Sequence, residues 1–181
     1  MPFRVCSIDV GIVNLALVGV KLETDDRGLR QQPLCATFTT CELIDLTCLP
    51  HTRVPRAECT LHHSKGLFDR VAHFLQEFAP VLDACDVLLI ERQPIMGLVA
   101  VEQLILGHHR DKTTLVSPNS MHKFFNIAQY TYEGRKKQTV AIASTLLEHH
   151  SDMLKQMQAH ERQHDIADAL VLMSCLLSCS C

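Results

Sequence analysis

Four acidic residues in three separate stretches carry the chemistry of this sequence. They are Asp9 in SIDVG, Glu91 in LLIERQ, and the pair Asp165 and Asp168 in HDIADAL. Asp9 is embedded in an apolar run from Phe3 to Val20, FRVCSIDVGIVNLALVGV. An ionised carboxylate inside a buried strand is costly unless positive charge sits beside it. The run offers no Lys or Arg except Arg4, so a bound cation is the expected partner. Glu91 directly follows the apolar run DVLLI, and ligand sites of open α/β sheets lie beyond the carboxyl ends of central strands. Standing alone, such a Glu is as readily a surface residue at a strand end. Asp165 and Asp168 are three apart, so a helix puts them on one face. Alone, they are as readily a first-turn acid favoured by the helix dipole and a solvated neighbour. Together, four carboxylates repel one another unless cations intervene, and their hard oxygens select Mg²⁺ or Mn²⁺ over zinc. Two such ions about 3.5–4 Å apart can activate a water and stabilise the leaving oxygen in phosphodiester hydrolysis.

The elements that must position these acids can be read from periodicity. Residues 3–10 are a β-rich run, Gly11 and Asn14 mark a turn, and 15–22 (LALVGVKL) is a second strand. TDDRG at 24–28 is a further turn, and 35–46 form a third strand, giving an antiparallel meander. Residues 47–64 are polar and contain two prolines, which indicates a long loop. Leu67, Val71, Phe74, Leu75 and Phe78 have helical spacing, so a helix is expected over 66–79, ended or kinked by Pro80. The run 86–90 is a strand buried on both faces, with Glu91 just beyond it. A helix over 98–110, a strand over 113–116 and a short helix over 119–126 follow. Helices are then expected over 136–150, starting after Gly134, and over 161–175. Leaving out the short helix, the order is β-β-β-α-β-α-β-α-α. That is an α/β fold: a mixed five-stranded sheet, three antiparallel strands then parallel crossovers, flanked by helices.

At 181 residues the chain suits one domain, 1–181, with enough core to need no covalent staples. A net charge of −3 and a pI of about 6.4 do not announce a nucleic-acid binder, so any basic surface must be local. The nine cysteines are scattered and include no Cys-x-x-Cys, which reads as an intracellular, reducing compartment. Cys175, Cys179 and Cys181 read as a helix end and terminus. Cys59 beside His62 and His63 hints at zinc, but no second ligand pair follows in sequence. The start MPFRVCSIDV lacks the features of a signal peptide. No apolar run approaches the ~20 residues that span a bilayer, so no membrane partner is expected.

SIDVGIVNLAL, LLIERQ and HDIADAL, in this order over this length, resemble the RuvC-like Holliday-junction resolvases of the ribonuclease H fold. The poxvirus-type viral resolvases are the nearest match, with mitochondrial junction resolvases more distant. The resemblance spans roughly residues 4–175. It implies a Mg²⁺-dependent endodeoxyribonuclease, with Mn²⁺ able to substitute, that acts as a homodimer on four-way and branched DNA. The product would be nicked duplex with 5′-phosphate and 3′-hydroxyl ends. The role would be viral genome concatemer resolution or recombination, in the host cytoplasm for a viral protein. Carried over, Asp9, Glu91, Asp165 and Asp168 are the catalytic acids and ligands of two metal ions per active site. Asp9 would bridge both ions, Glu91 would hold one, and the last pair would complete the other site.

DNA phosphates call for local positive charge. Arg135, Lys136 and Lys137 form a basic stretch, with Lys123 nearby in sequence, and Arg92 and Gln93 adjoin Glu91. A solvated helix start explains the basic stretch equally well; the resemblance favours a DNA-facing one. Tyr130 and Tyr132 could stack on splayed bases, although packing is the more ordinary role. His164 could carry a proton beside the metals, although a helix-cap neighbour is the more ordinary reading.

Other readings are open. One is a ribonuclease H-fold nuclease acting on RNA or an RNA–DNA hybrid. Another is a nucleotide-binding domain of the actin and sugar-kinase type, because Asp9-x-Gly11-x-x-Asn14 also opens their phosphate loop; such chains usually duplicate the module. His164-Asp165 matches an HD-type phosphohydrolase, but those are all-helical. A last alternative is a binding module without activity, against which the four acids argue.

Overall fold

The computed structural model describes residues 2–23, 36–48 and 59–179, with side chains as far as Cys175. The expected turn at 24–28, most of the loop at 47–64 and Cys181 fall outside the described residues, as does the side chain of Cys179.

Five strands form one sheet: β1 (Phe3–Asp9), β2 (Leu15–Leu22), β3 (Ala36–Ile44), β4 (Val87–Glu91) and β5 (Thr113–Val116), in the order β3-β2-β1-β4-β5. β1 pairs antiparallel with β2 and β2 antiparallel with β3, while β4 is parallel to both β1 and β5. The bounds of β2 and β5 coincide with the periodicity reading. β4 extends one residue further than expected, so Glu91 is the last residue of the strand.

Strand alternation sends successive side chains to opposite faces of the sheet. Val5, Val18, Val20 and Leu89 meet Ile166, Ala167, Ala169 and Leu170 of the last helix, α6 (Gln163–Cys179). Cys6, Ile8, Leu15, Leu17, Leu88 and Ile90 meet the other layer, α1 (Leu67–Leu82) and α2 (Val99–His108). Both central strands are therefore apolar on each face, as the unbroken runs in the sequence require. Ala167 and Ala169 are fully buried. Their small side chains let α6 approach β1 closely enough for Ser7 Oγ to donate to the Ala169 carbonyl. That bond satisfies the one polar side chain buried within β1 and fixes the height of α6 along the strand.

Three helix expectations need correction. α1 does not end at Pro80 but runs to Leu82. Proline forfeits one backbone bond; the last turn is held by the Asp83 amide bonding to the Ala79 carbonyl at 2.8 Å and by full burial of Leu82. After the short α3 (Pro118–Phe124), α4 (Tyr132–Leu146) begins four residues before the expected start at 136. The reason is a cap: Thr131 Oγ1 accepts from the Gly134 amide at 3.2 Å, so Gly134 lies inside the first turn. The expected helix over 136–150 ends four residues early, at Leu146, and α5 (Ser151–Ala159) occupies a stretch where no helix was expected. Met157 is fully buried there, and Gln156 Nε2 donates to the Cys41 carbonyl of β3 at 2.7 Å.

The turn after β1 depends on Gly11. A Cβ at this position would collide with the backbone carbonyl of Asn14, and backbone cannot yield as a flexible side chain can. Gly11→Ala is expected to destabilise the protein by about 2 kcal/mol, measured as a lower urea midpoint with an unchanged m-value; a midpoint equal to wild type would refute the turn geometry.

Candidate active site

Asp9 and Glu91 end two adjacent parallel strands. The register pairs Ile8 with Ile90, so the residues that follow them emerge side by side at the carboxyl edge of the sheet. The early turns of α6 pass the same edge, held there by the Ser7–Ala169 bond, and present Asp165 and Asp168. All four acids line one cleft of about 430 Å³, together with Gln93, Pro94, Pro118, Met121, His122, Tyr132, Arg135, Lys136 and Thr139. Its walls come from β1, β4, α3, α4 and α6.

The electrostatics follow from crowding. Burial, then the neighbouring Glu91 carboxylate, pushes the Asp9 carboxyl well above its ordinary range, with Asp168 and Asp165 adding to the effect. Asp9 and Glu91 are close enough to share a hydrogen bond. Burial and Glu91 likewise raise Asp168 to about 7, against an opposing hydrogen bond from Thr139. Gln93 Nε2 donates to Glu91 Oε2 at 3.2 Å, and the Gln93 amide is anchored on the buried Glu102 carboxylate.

Asp165 differs from the other three. Arg162 Nε donates to its Oδ2 at 2.7 Å, and Arg162 Nη2 and His164 Nε2 reach its Oδ1 at 3.4 and 3.2 Å. This pairing raises the Arg162 guanidinium, to which Asp9 also contributes. The expectation that Asp9 has no cation nearby beyond Arg4 is thus corrected, because Arg162 arrives from a distant part of the chain. With its amide oriented to satisfy the pair, Asn14 accepts from Arg162 at 3.3 Å, so the Asn of the Asp-x-Gly-x-x-Asn stretch faces a guanidinium.

Of the six basic or polar residues singled out in the sequence, Gln93, Arg135 and Lys136 line the cleft. Arg92, Lys123 and Lys137 are exposed and outside it. Lys136 Nζ lies 3.1 Å from His164 Nε2 and 4.5 Å from the centre of the Tyr132 ring. Burial lowers the His164 imidazole, with Asp165 opposing and Lys136 reinforcing the shift. Tyr132 is 60% exposed on the cleft wall rather than packed in the core, and Tyr130 is 42% exposed outside it. Sequence reasoning did not single out His122, Thr139 or Arg162. Arg162 carries a local signal, three residues before Asp165 at the start of α6, where a helical salt bridge would form.

The donor set suits a hard divalent cation. Four carboxylates line one cleft, and burial together with mutual repulsion makes two of them, Asp9 and Asp168, hold protons unusually tightly. Among the described residues no Lys or Arg forms an ion pair with Asp9, Glu91 or Asp168, whereas Asp165 is shared with Arg162.

Residues 4–177 match the family described as Poxvirus A22 protein. The chain belongs to this family. The resemblance seen in the sequence therefore holds over nearly its whole length. No curated protein matches the chain. Among solved structures, the Fowlpox virus resolvase in complex with substrate Holliday junction DNA is similar, with a TM-score of 0.66 and 16% identity over 98% of this chain and 99% of that one. Thermus thermophilus RuvC is similar with a TM-score of 0.59 and 14% identity over 98% and 97%. RuvC from the same organism in complex with Holliday junction substrate gives 0.58 and 14% over 98% and 96%. These likenesses and the strand order establish the ribonuclease H-like fold for this family member.

The raised Asp168 carboxyl has a definite sign in stability. Its proton is bound more tightly in the folded state, so its stabilisation is complete below the ordinary value of 3.8 and lost as pH rises through about 7. Metal-free protein should melt several °C lower at about pH 8 than at about pH 5.5. Asp168→Asn should flatten that dependence and raise the melting temperature at the higher pH. Calorimetry with chelator present checks this; a variant no more stable than wild type at the higher pH would contradict the crowded site.

Proposed function

We propose that this chain is a structure-selective DNA endonuclease that resolves Holliday junctions and other branched DNA, with Asp9, Glu91, Asp165 and Asp168 as the acids of one divalent-metal centre. The observation that carries this reading is the convergence of acids from β1, β4 and α6 in a single cleft, in a member of the poxvirus A22 protein family. Two structures of similar fold, the Fowlpox virus resolvase and Thermus thermophilus RuvC, are complexes with Holliday junction DNA.

Two Mg²⁺ ions, or Mn²⁺ in their place, would supply water activation and stabilisation of the departing oxygen when bound. The chain's own contribution is rigid placement. Asp9 and Glu91 ride on central strands, and Gln93 orients Glu91. Asp168 faces them from α6 and, with Asp165 engaged by Arg162, would be the direct ligand of its pair. Asp165 orients Arg162, whose guanidinium offsets charge beside the cluster. Arg135 and Lys136 hold a backbone phosphate at the cleft wall, and the exposed Tyr132 ring offers a surface for an unstacked base. Arg92, Lys123 and Lys137 contact phosphates farther out.

The functional unit is a homodimer of single-domain chains, because symmetric resolution needs two centres acting on two strands. Products carry 5′-phosphate and 3′-hydroxyl ends. The setting is viral concatemer resolution or recombination in a reducing compartment, the host cytoplasm. Cys6, Cys41, Cys48, Cys59, Cys85 and Cys175 are free thiols, which fits that setting. Among the described residues no helix is long and apolar enough to cross a membrane.

A synthetic mobile four-way junction, incubated with and without Mg²⁺ and mapped for cuts, tests the assignment. Symmetric paired nicks that require Mg²⁺ are expected, and preferential cutting of an RNA–DNA hybrid would overturn it. Asp9→Asn and Asp168→Asn should each lower cleavage by at least the roughly 100-fold that loss of an outer-shell partner already costs, with junction binding retained. Full cleavage by either purified variant would remove these residues from the centre. Lys136→Gln should reduce the salt slope of junction binding by about 1.

A further inference from the structure

Away from the acid cleft, α1 meets the segment that precedes it through a sulfur and two imidazoles. Cys59, His63 and His73 each offer one ligand atom, and the three atoms lie within 4.8 Å of one another. We propose that they form a second metal site, for zinc or an ion of similar softness, that clasps residues 59–65 onto α1.

The donor set decides the class of ion. Thiolate and imidazole are borderline-soft ligands that suit Zn²⁺, whereas the carboxylate cleft suits Mg²⁺. Tetrahedral zinc with one sulfur and two nitrogens needs donor separations of about 3.3–3.6 Å. Cys59 Sγ and His73 Nδ1 are already 3.8 Å apart. The His63 and His73 rings lie 4.9 Å apart, centre to centre, and His63 is exposed.

The tautomer provides an independent indication. His73 Nε2 lies 3.0 Å from the His62 carbonyl. A carbonyl only accepts, so Nε2 carries the proton, and in the neutral ring the lone pair then lies on Nδ1, on the side of Cys59. A ring nitrogen held by a backbone carbonyl while its partner faces a thiol is the outer-shell arrangement that orients ligating histidines. Gln76 Oε1, one turn along α1 from His73, accepts from the Cys59 thiol at 3.6 Å.

The sequence shows only Cys59, His62 and His63 close together, and the third ligand is missing there. α1 supplies it in His73, while His62 contributes its carbonyl instead of its ring. α1 covers the sheet face opposite α6, so the clasp and the acid cleft bind ions independently and sort them by hardness.

Cobalt(II) is the probe. Full-length protein, reduced and stripped of metal, is titrated with Co²⁺. Wild type should take up one ion that gives a thiolate-to-cobalt charge-transfer band and strong tetrahedral absorption, both abolished by equimolar Zn²⁺. Cys59→Ser should lose the charge-transfer band and weaken Zn²⁺ binding by at least about tenfold, while its Mg²⁺-dependent junction cleavage stays at the wild-type level. His73→Gln provides a second variant that keeps the thiol and should also lose the tetrahedral absorption. The proposal is overturned if wild type shows no thiolate band, or if the band survives in Cys59→Ser or the tetrahedral absorption in His73→Gln. A cleavage defect shared by all three proteins would count against the nuclease reading alone.

Discussion

Mutual repulsion among carboxylates is the constraint on which this architecture turns. Acids forced together in a partly dry cleft raise one another's proton affinity, and the backbone must supply the work that keeps them there. The sheet does so with two neighbouring parallel strands that stop at the same level, Asp9 ending one and Glu91 the other. α6 does so by lying directly on β1, which only small residues at its contact surface allow. Ser7 ties the two together by a single buried bond. Each device is local and unremarkable in itself. Their sum is a cleft whose acids are flanked by Arg162 at Asp165 and by Arg135 and Lys136 along the wall.

Placement on strands and a packed helix, rather than on loops, matters for chemistry on a phosphodiester. Reacting groups must be held to within fractions of an ångström, and the cores on both sides of the sheet resist displacement. The more adaptable groups lie at the wall. Lys136 shares its charge between a ring and an imidazole, and Tyr132 is largely open to solvent. A polyanion entering the cleft would meet yielding cations first and a fixed acidic floor second.

The acids and the central strands were legible because each leaves a signature within a short window. An acid interrupting an apolar run shows in SIDVG, an acid closing a buried strand shows in LLIE, and helical spacing relates Asp165 to Asp168. What was not legible depended on partners remote in sequence or on weak local patterns. Arg162 offsets Asp9 only after the fold brings α6 to β1. His73 reaches Cys59 only once α1 has docked. The start of α4 was hidden because its cap pairs Thr131 with a glycine amide, whereas the sequence rule looks for Glu or Gln at that place. α5 has a single fully buried side chain, Met157, so its apolar face is too narrow to announce a helix between the two that were expected.

That overlooked helix bears on how the molecule resists misassembly. β3 is the outermost strand on its side of the sheet and is nine residues long. A long open border of this kind is a template for strands of other molecules. α5 packs beside it, and Gln156 already engages the Cys41 carbonyl. A newcomer would have to displace a helix before it could add to the sheet, so this border is guarded against aggregation by a side chain whose importance lies in the pairing it forestalls.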